Sequence, residues 1–199
     1  MIEILDEVIN GGFTYLNPIY KEKEVGEGVV LDVNSLYPSV MYDRLIPYGY
    51  PVYFEGKYLD DEIYPLYVQQ IQVFSFKVKK NKIPTIQIKK NPYLRENEYL
   101  ESYNEDGKLE AITLVLTSID LKLFLEHYKV EDLIYIDGWK FKGVDFLFKK
   151  YIDKWIKIKI EASKEKNEGK RQMAKLQLNS LYGKLATTLE CKSKIPYLR

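Results

Sequence analysis

The sequence lacks the features of a secreted or membrane-embedded protein. Its 199 residues include one cysteine, Cys191, so no disulfide bond can form within the chain, and a reducing compartment fits. No apolar run approaches the roughly 20 residues that span a bilayer. The start, MIEILDEVIN, lacks the basic and apolar segments of a signal peptide. We therefore expect a soluble, cytoplasmic protein with no membrane partner.

Charge is nearly balanced in total and uneven along the chain. Thirty basic and 29 acidic residues give a net charge of +1. Residues 149–184 contain eleven Lys and Arg against four Asp and Glu, whereas residues 1–148 carry a net charge of −8. A basic segment on an acidic body predicts either an anionic partner at one place or a solvated, lysine-rich helix pair, and charge alone leaves both open.

The first motif-bearing segment is predicted to be a strand followed by a helix. GVVLDV at 28–33 is apolar and β-branched, which indicates a strand. SLYPSVMYDRL follows at 35–45, and Pro38 suits an early helical position. IPYGYP at 46–51 is a cluster of breakers that is predicted to end this helix.

From about residue 52 to 117 the pattern is typical of strands. The predicted strands are 71–79, 83–89, 98–103 and 109–117. NEDGK contains an Asp-Gly turn signal between the last two, so a hairpin is expected there. Ser118 is predicted to cap a short helix, and LIYIDGWKFKG at 133–143 is predicted to form a further strand.

The last third is predicted to be a helix pair. Between about 145 and 163, six residues fall on one face at helical spacing: Phe148, Tyr151, Ile152, Trp155, Ile158 and Ala162. KEKNEG at 164–169 predicts a turn, and a second helix is expected from about 169 to 186. Its predicted buried stripe comprises Ala174, Leu178, Leu181 and Leu185.

A polar stripe lies beside that apolar one. Arg171, Lys175, Asn179 and Tyr182 follow the spacing of a single helix face. Cations one turn apart can grip two phosphates of one triphosphate, and a tyrosine next to Gly183 offers a flat ring with open space for a base pair. A partly solvated helix face explains the same pattern, so the stripe alone leaves both interpretations open.

Two motifs point further. KLQLNSLYG at 175–183 fits the pattern Lys-x-x-x-Asn-Ser-x-Tyr-Gly, and LDVNSLYPS at 31–39 fits Asp-x-x-Ser-Leu-Tyr-Pro-Ser. Together, in their order along the chain, the stretches at 31–39 and 175–183 resemble motifs A and B of family B DNA polymerases. Further stretches are similar to the protein-primed, phi-29-like bacteriophage subgroup: FEGKY, IPTIQIK, NEYL, YIDKW and KIPYL. The similarity covers residues 11–198.

The resemblance implies an α+β fold and an order of domains. Residues 1–49 would form a partial palm with motif A, and 50–144 a β-rich insertion resembling the first terminal-protein region. Residues 145–186 would form an antiparallel two-helix fingers subdomain with motif B, and 187–199 a return to the palm. For the insertion, the alternatives are contacts with terminal protein and duplex, or a purely structural elaboration. KVKKNK at 77–82 is its local basic patch.

The resemblance also assigns roles around motif A. The Asp32 carboxylate, with the carbonyl of Val33, would bind Mg²⁺ (or Mn²⁺). Backbone N–H groups of Ser35, Leu36 and Tyr37 would hold phosphates, because a helix start is a ready anion site. The Tyr37 ring would exclude a 2′-hydroxyl. The simpler alternative for Asp32 is a helix N-cap, and the motif favours the metal role.

On the two helices, the resemblance implies dNTP contacts for Lys159, Arg171, Lys175, Asn179 and Tyr182. Lys175 would contact the α- and γ-phosphates and donate a proton to the leaving pyrophosphate, and Arg171 would hold the γ-phosphate. Asn179 and Tyr182 would pack on the nascent base pair with Gly183 beside them, and Tyr182 would also lie near the sugar. The turn before Arg171 looks about four residues longer than in relatives, which leaves the alignment of Lys159 open.

The second catalytic acid of the family is not evident. It comes from a Tyr-x-Asp-Thr-Asp-Ser element after motif B, whereas YIDG at 135–138 precedes motif B, so Asp137 is expected to be a turn residue. We expect a fragment of a phage or prophage polymerase that supplies half of a two-metal site and is inactive alone. Its expected partners are template-primer DNA, dNTP, terminal (primer) protein and the rest of the polymerase. The alternative is a non-catalytic module that binds DNA, nucleotide or terminal protein.

Overall fold

The computed structural model describes residues 15–33, 35–86, 99–103 and 105–185. Within these ranges the chain forms two compact units, one from residues 15–29 and 47–143 and the other from 30–46 and 144–185. The fold is α+β, with its sheets in the first unit and three of its four helices in the second. Across the described residues, every helix is too short or too polar to cross a membrane.

The elements follow one another in a mixed order. A 3₁₀ turn at Pro18–Tyr20 comes first. The strands are β1 (Ile46–Glu55), β2 (Leu66–Val73), β3 (Ser75–Val78), β4 (Tyr99–Tyr103), β5 (Leu109–Glu110), β6 (Ile112–Thr117), β7 (Tyr128–Glu131) and β8 (Ile134–Val144). The α-helices are α1 (Leu36–Asp43), α2 (Ser118–His127), α3 (Lys149–Lys164) and α4 (Glu168–Leu185).

Two four-stranded sheets build the first unit. One has the order β1-β8-β2-β6 and the other β5-β4-β3-β7. Strand β2 pairs antiparallel with β6, from Val68 opposite Thr117 to Val73 opposite Ile112. Strands β2 and β3 are separated only by Phe74, so one continuous segment contributes to both sheets.

The core of the first unit is apolar and tightly closed. Ile71, Val73, Phe76, Phe124 and Tyr128 are each at most 1% exposed. The ring of Phe76 meets the rings of Phe124 and Tyr128 edge-on, with centroids 5.5 and 5.4 Å apart. Since each such buried side chain contributes about 1.5–3 kcal/mol of transfer free energy, this cluster is the main source of stability in the unit.

A buried amide joins the sheet to the loop that follows β1. Gln69 is fully buried. Its Nε2 donates to the carbonyls of Gly56 (3.0 Å) and Asp137 (2.6 Å), and its Oε1 accepts from the backbone N–H of Tyr58 (3.0 Å). A polar group can be buried only when hydrogen-bonded in this way, so Gln69 fixes the position of residues 56–58.

The second unit is a helix pair with a short third helix against it. Helices α3 and α4 are joined by a short turn and pack antiparallel. Between them, the Tyr151 hydroxyl in the first turn of α3 donates to the Gln177 carbonyl midway along α4 (3.0 Å). Helix α1 packs against both. The shared core contains Met41, Ile152 and Leu178. Near the turn, Ala162 and Ala174 are fully buried.

Much of the predicted secondary structure is confirmed. The hairpin at NEDGK pairs Tyr103 with Leu109, and Gly107 adopts φ 74° in its turn. The predicted strand at 133–143 is β8, and the last two helices lie within a few residues of their predicted bounds. The first helix ends at Asp43 as expected.

Three local predictions are wrong, and a fourth is confirmed only in part. Residues 28–33 form no strand, and Val30 is 97% exposed, because no described strand pairs with them. IPYGYP follows the end of α1 as predicted, but it also begins β1, since that strand lies at a sheet edge where proline is tolerated. Residues 83–86 are not a strand, and 87–89 lie outside the described residues. The cap of α2 is Thr117 rather than Ser118, since Thr117 Oγ1 accepts from Asp120 N–H.

Candidate functional site

The motif-A residues lead from an extended segment into α1. Asp32 and Val33 are exposed and belong to no helix or strand. Ser35 then adopts a left-handed conformation (φ 53°, ψ 49°) and is the N-cap of α1. Such a conformation costs a non-glycine residue about 1–3 kcal/mol. Ser35 thus precedes the helix that carries Tyr37 in a conformation that is unusual for a serine.

The start of α1 presents free backbone donors. The first N–H groups of any helix have no partner within it, and here they belong to Leu36 and Tyr37, while Pro38 has none. The Ser35 side chain makes no capping hydrogen bond to them. Its carbonyl accepts the first helical bond, from Ser39 N–H (2.9 Å). These donors, with the positive end of the helix dipole, can receive an anion.

Lys159 lies at this helix start. It projects from α3, and its Nζ donates to Ser35 Oγ at 3.3 Å. Met41 of α1 packs with Ile152 of α3 and Leu178 of α4. This packing holds α1 and α3 close enough for the contact between Ser35 and Lys159. The lysine therefore adds a full positive charge where the backbone donors of α1 are exposed.

Two tyrosines from separate motifs meet face to face. The ring of Tyr37 on α1 stacks on that of Tyr182 on α4, with centroids 4.2 Å apart and planes 17° from parallel. Tyr37 is 50% exposed and Tyr182 40% exposed. Stacking accounts for one face of each ring, and the exposed remainder is available to a flat ligand. The contact joins the two sequence motifs in one place.

Helix α4 separates its core face from its polar face as predicted. Ala174 and Leu178 are buried, whereas Lys175 and Asn179 are exposed. In the described part of the chain, the side chains of Lys175 and Asn179 make no hydrogen bond or ion pair. A side chain added at Gly183 would meet nothing within 4 Å, so there is space next to Tyr182. The side chain of the predicted core residue Leu185 lies outside the described residues.

Arg171 is the one member of the polar stripe that already has an anionic partner. Its Nε and Nη2 donate to the two carboxylate oxygens of Glu168, at 2.7 and 2.5 Å. The hydrogen bonds from Arg171, and then from Gln172, lower the pKa of Glu168 to about 2. The same pairing raises the pKa of Arg171. Sequence reasoning missed Glu168, although its spacing of seven from Lys175 places both on one helix face.

The described residues supply few metal ligands. A carboxylate and a carbonyl, from Asp32 and Val33, are oxygen donors of the kind that Mg²⁺ takes. Across the ranges that the structure describes, no group of three or more His, Cys, Asp or Glu side chains is placed to hold a metal ion. The donors therefore fit a magnesium site in kind and are too few to form one by themselves.

Asp137 is not the turn residue that was predicted. It lies within β8, and its Oδ2 accepts a hydrogen bond from the Tyr53 hydroxyl (3.1 Å). Its Oδ1 is buried without a hydrogen-bond partner among the described residues. Gly138 follows it in the strand, and its missing Cβ leaves room for the Val68 carbonyl and the Phe54 ring.

Comparison with known proteins finds relatives along the whole chain. The family described as "DNA polymerase type B, organellar and viral" matches residues 3–199. Over 190 residues the chain is 54% identical to the DNA polymerase of Bacillus phage Nf and 51% identical to that of Bacillus phage phi29. Both alignments cover 95% of this chain, with 32% of the first relative and 31% of the second.

The fold is also similar to solved structures. A structure of phi29 DNA polymerase, complexed with primer-template DNA and incoming nucleotide substrates, matches with a TM-score of 0.86 at 48% identity. The match covers 100% of this chain and 33% of that chain. The chain thus spans about a third of the length of the relatives it matches.

Proposed function

This chain belongs to the organellar and viral type B DNA polymerases, and from that membership we propose that it carries part of the active site of a protein-primed, DNA-templated DNA polymerase of a phage or prophage. One observation carries the proposal. Side chains from three helices converge at the start of α1, where Lys159 meets Ser35 and Tyr182 stacks on Tyr37. Cations, backbone donors and aromatic faces are what a nucleoside triphosphate requires.

Hydrogen-bond donors and cations of this chain would contact the triphosphate. Backbone N–H groups of Ser35, Leu36 and Tyr37 would take phosphate oxygens at the helix start, with Lys159 beside them. From α4, Arg171 would hold the γ-phosphate, and Lys175 would contact the α- and γ-phosphates. The Lys175 ammonium would also donate a proton to the leaving pyrophosphate as the P–O bond breaks.

The sugar and base would lie against the two tyrosines. Tyr37 would pack on the deoxyribose and clash with a 2′-hydroxyl, which excludes ribonucleotides. Tyr182 would lie near the same sugar. Asn179 and Tyr182 would pack against the nascent base pair, and the open space at Gly183 would admit it. A ligand of this kind must part the two stacked rings or bind along their exposed edges.

The Asp32 carboxylate and the Val33 carbonyl would be ligands of Mg²⁺ (or Mn²⁺). When bound, two such ions stabilise the attacking and leaving oxygens of an in-line displacement. Asp32 is the one carboxylate of the motif, and we propose that a further acid comes from outside the described residues. We therefore propose that the chain supplies half of the site and that the 199-residue chain alone has no useful polymerase activity.

The remaining regions would serve the nucleic acid and the primer. Residues 1–49 would be palm, 50–144 the first terminal-protein region, 145–186 the fingers, and 187–199 a return to the palm. Template-primer DNA and terminal protein would be the partners of the whole polymerase. In the β-rich unit, Lys77, Lys79 and Lys80 belong to the basic patch at 77–82, and Lys79 Nζ donates to the Leu125 carbonyl (2.9 Å).

A second candidate is a non-catalytic module that binds nucleotide, DNA or terminal protein. The observation that favours it is the small number of metal ligands among the described residues. The two candidates differ in whether activity appears when the missing acid is supplied.

Primer extension with Mg²⁺ and dNTPs separates them. We would compare the chain alone, the chain plus a separately produced downstream polymerase segment, and the same mixture with Asp32→Ala. Asp43→Ala is the matched control, because Asp43 is an exposed carboxylate at the other end of α1. We expect extension only in the complemented mixture, lost by at least about a hundredfold in Asp32→Ala and kept in Asp43→Ala.

Other outcomes would redirect the proposal. Extension by the chain alone would show that the site is already complete. Binding of labelled dNTP without extension in any mixture would favour the non-catalytic module. Equal activity of Asp32→Ala and Asp43→Ala would remove Asp32 from the site.

A further inference from the structure

Glu168 occupies the polar face of α4 together with the residues that would grip a nucleotide. Residues 168, 175 and 182 are spaced by seven, which is close to two helical turns, so Glu168, Lys175 and Tyr182 point in similar directions. Lys175 is one of the charges that stabilise the Glu168 carboxylate. An acid therefore stands at the end of a face that is otherwise cationic, amide-bearing and aromatic.

The carboxylate of Glu168 is fully engaged in hydrogen bonds. Arg171 donates through Nε and Nη2 to its two oxygens, and Gln172 Nε2 donates to Oε1 at 2.6 Å. The Glu168 side chain is 63% exposed, and that of Arg171 is 33% exposed. The ion pair between Glu168 and Arg171 is thus bidentate, and it is accessible to water and to solutes.

Capping does not account for this arrangement. The N-cap role at the start of α4 falls to Asn167, whose Oδ1 accepts from the Lys170 N–H at 3.0 Å. An acid in the first turn also interacts favourably with the helix dipole, but that interaction needs no guanidinium. The two-point contact with Arg171 is therefore an additional feature of Glu168.

A phosphate group and a carboxylate use the same donors of an arginine. Both accept two parallel N–H bonds from the guanidinium fork, so one Nε–Nη2 edge cannot serve both at once. A triphosphate that reaches Arg171 must displace Glu168 from that edge and then lie next to a carboxylate that repels it. Lys175, one turn further along, has no such competitor among the described residues.

We propose that Glu168 is an internal counter-ion that competes with the γ-phosphate for Arg171 and so lowers the affinity for nucleoside triphosphates. This inference rests on the proposed function, because it takes Arg171 as a triphosphate ligand. The competition acts only on a ligand long enough to reach Arg171. It therefore weakens the binding of a triphosphate and leaves that of a diphosphate unchanged. It also favours dissociation of the phosphate group bound to Arg171, because Glu168 takes its place.

Two simpler roles of Glu168 predict other effects of its removal on triphosphate binding. If Glu168 only orients Arg171 for the ligand, its removal weakens triphosphate binding. If it only supports the helix, its removal lowers the melting temperature and leaves binding unchanged. Competition alone predicts tighter binding after the charge is removed.

The test is nucleotide binding by the full 199-residue chain, measured with fluorescent dTTP and dTDP analogues in low salt with Mg²⁺. Glu168→Gln removes the charge and keeps the size of the side chain. Glu165→Gln is the matched control, because Glu165 is exposed in the preceding turn and pairs with Lys170 (3.2 Å) instead. Circular dichroism verifies that each variant is folded.

We expect Glu168→Gln to tighten dTTP binding about tenfold in low salt, since one charge is removed within several ångströms of a dianionic phosphate. Binding of dTDP should change less than about twofold, as should binding of either ligand to Glu165→Gln. The gain should shrink at physiological ionic strength. In an Arg171→Gln background, Glu168→Gln should lose most of its effect, because the competition needs the arginine.

The results separate this inference from the proposed function. Weaker or unchanged dTTP binding in Glu168→Gln overturns the competition, and so does an equal gain in Glu165→Gln. If Lys175→Gln still abolishes binding in that case, the nucleotide site survives and only the role of Glu168 is lost. If no variant binds dTTP, the proposed nucleotide site fails and the competition fails with it.

Discussion

Buried and half-buried polar side chains of the β-rich unit and two exposed ones on α4 of the helical unit differ in their hydrogen bonding. In the β-rich unit, the Gln69 amide hydrogen-bonds to backbone groups of Gly56, Tyr58 and Asp137. The Tyr58 hydroxyl donates to the Tyr64 carbonyl (2.7 Å). In the helical unit, the side chains of Lys175 and Asn179 are exposed and make no hydrogen bond within the described residues. Polar groups bound internally stabilise the fold, whereas those left accessible are the ones that we propose for the nucleotide site.

The cores of the two units differ in the same sense. Among the residues that the structure describes, the β-rich unit has a cluster of nine buried apolar side chains, whereas the cluster of the helical unit has three. A small core is easily repacked and stabilises less. We therefore expect substitutions in the β-rich unit to change the free energy of unfolding. In the helical unit we expect them to change both the free energy of unfolding and the affinity for the proposed ligand.

The substitution with the largest expected effect on stability is Gly138→Ala, which adds one methyl group. In Gly138→Ala the new Cβ would overlap the Val68 carbonyl oxygen and the Phe54 ring, and the backbone atom cannot move without breaking the β2–β8 pairing. We expect a loss of about 3 kcal/mol or more in the free energy of unfolding, measured by urea denaturation. Unchanged stability would contradict the close strand approach.

Gly169→Ala is the control for that substitution in the helical unit. Gly169 lies in the first turn of α4, and the nearest atom to its new Cβ would be Asn167 Oδ1 at 3.8 Å. Because alanine is a better helix former than glycine, this variant should gain up to about 1 kcal/mol. The same chemical change should therefore have opposite signs in the two units.

The second effect tests the small core of the helical unit. Leu178 is 1% exposed and packs with Met41 and Ile152. Leu178→Ala should cost about 3 kcal/mol, seen as an earlier loss of helical circular dichroism in urea. Leu176→Ala, two residues away at 65% exposure, should cost less than about 0.5 kcal/mol. Similar losses in both variants would mean that Leu178 is not a core residue.

These buried helix positions could be predicted from sequence, because the 3.6-residue period is a local property. Ala174 and Leu178 were placed correctly for this reason, as was the exposed face with Lys175. The predicted strand at 28–33 failed because a strand depends on a partner elsewhere in the chain. The contacts between Tyr37 and Tyr182, and between Ser35 and Lys159, join residues more than a hundred positions apart, and no local period reveals such contacts.

The third effect tests the internal hydrogen bonds of the β-rich unit. Gln69→Leu has a similar volume and leaves the carbonyls of Gly56 and Asp137 without their buried donor. We expect a loss of about 2–3 kcal/mol in the free energy of unfolding. On the same strand, Gln72→Leu removes a single 3.4 Å contact with Thr113 Oγ1 and should cost under about 0.5 kcal/mol. A reversed order would contradict the role given to Gln69.

The smallest effect concerns pH and returns to the helical unit. Arg171 and Gln172 lower the pKa of Glu168 from 4.5 to about 2 by donating to its carboxylate. The folded state therefore favours the ionised form, so its small contribution to stability is complete above about pH 4.5 and is lost as the pH falls toward 2. A carboxyl ¹³C titration should give a midpoint near 2 for Glu168.

Arg171→Gln sharpens this prediction, because Arg171 is the largest cause of the shift. Its loss should move the Glu168 midpoint upward, toward 4.5. In Lys170→Gln, which removes the partner of Glu165 instead, the Glu168 midpoint should stay near 2. A midpoint that does not respond to Arg171 would mean that the two side chains are apart in solution, and the arginine would then be as accessible to a ligand as Lys175 is. The titration thus decides whether the polar face of α4 is wholly open or is partly occupied by its own acid.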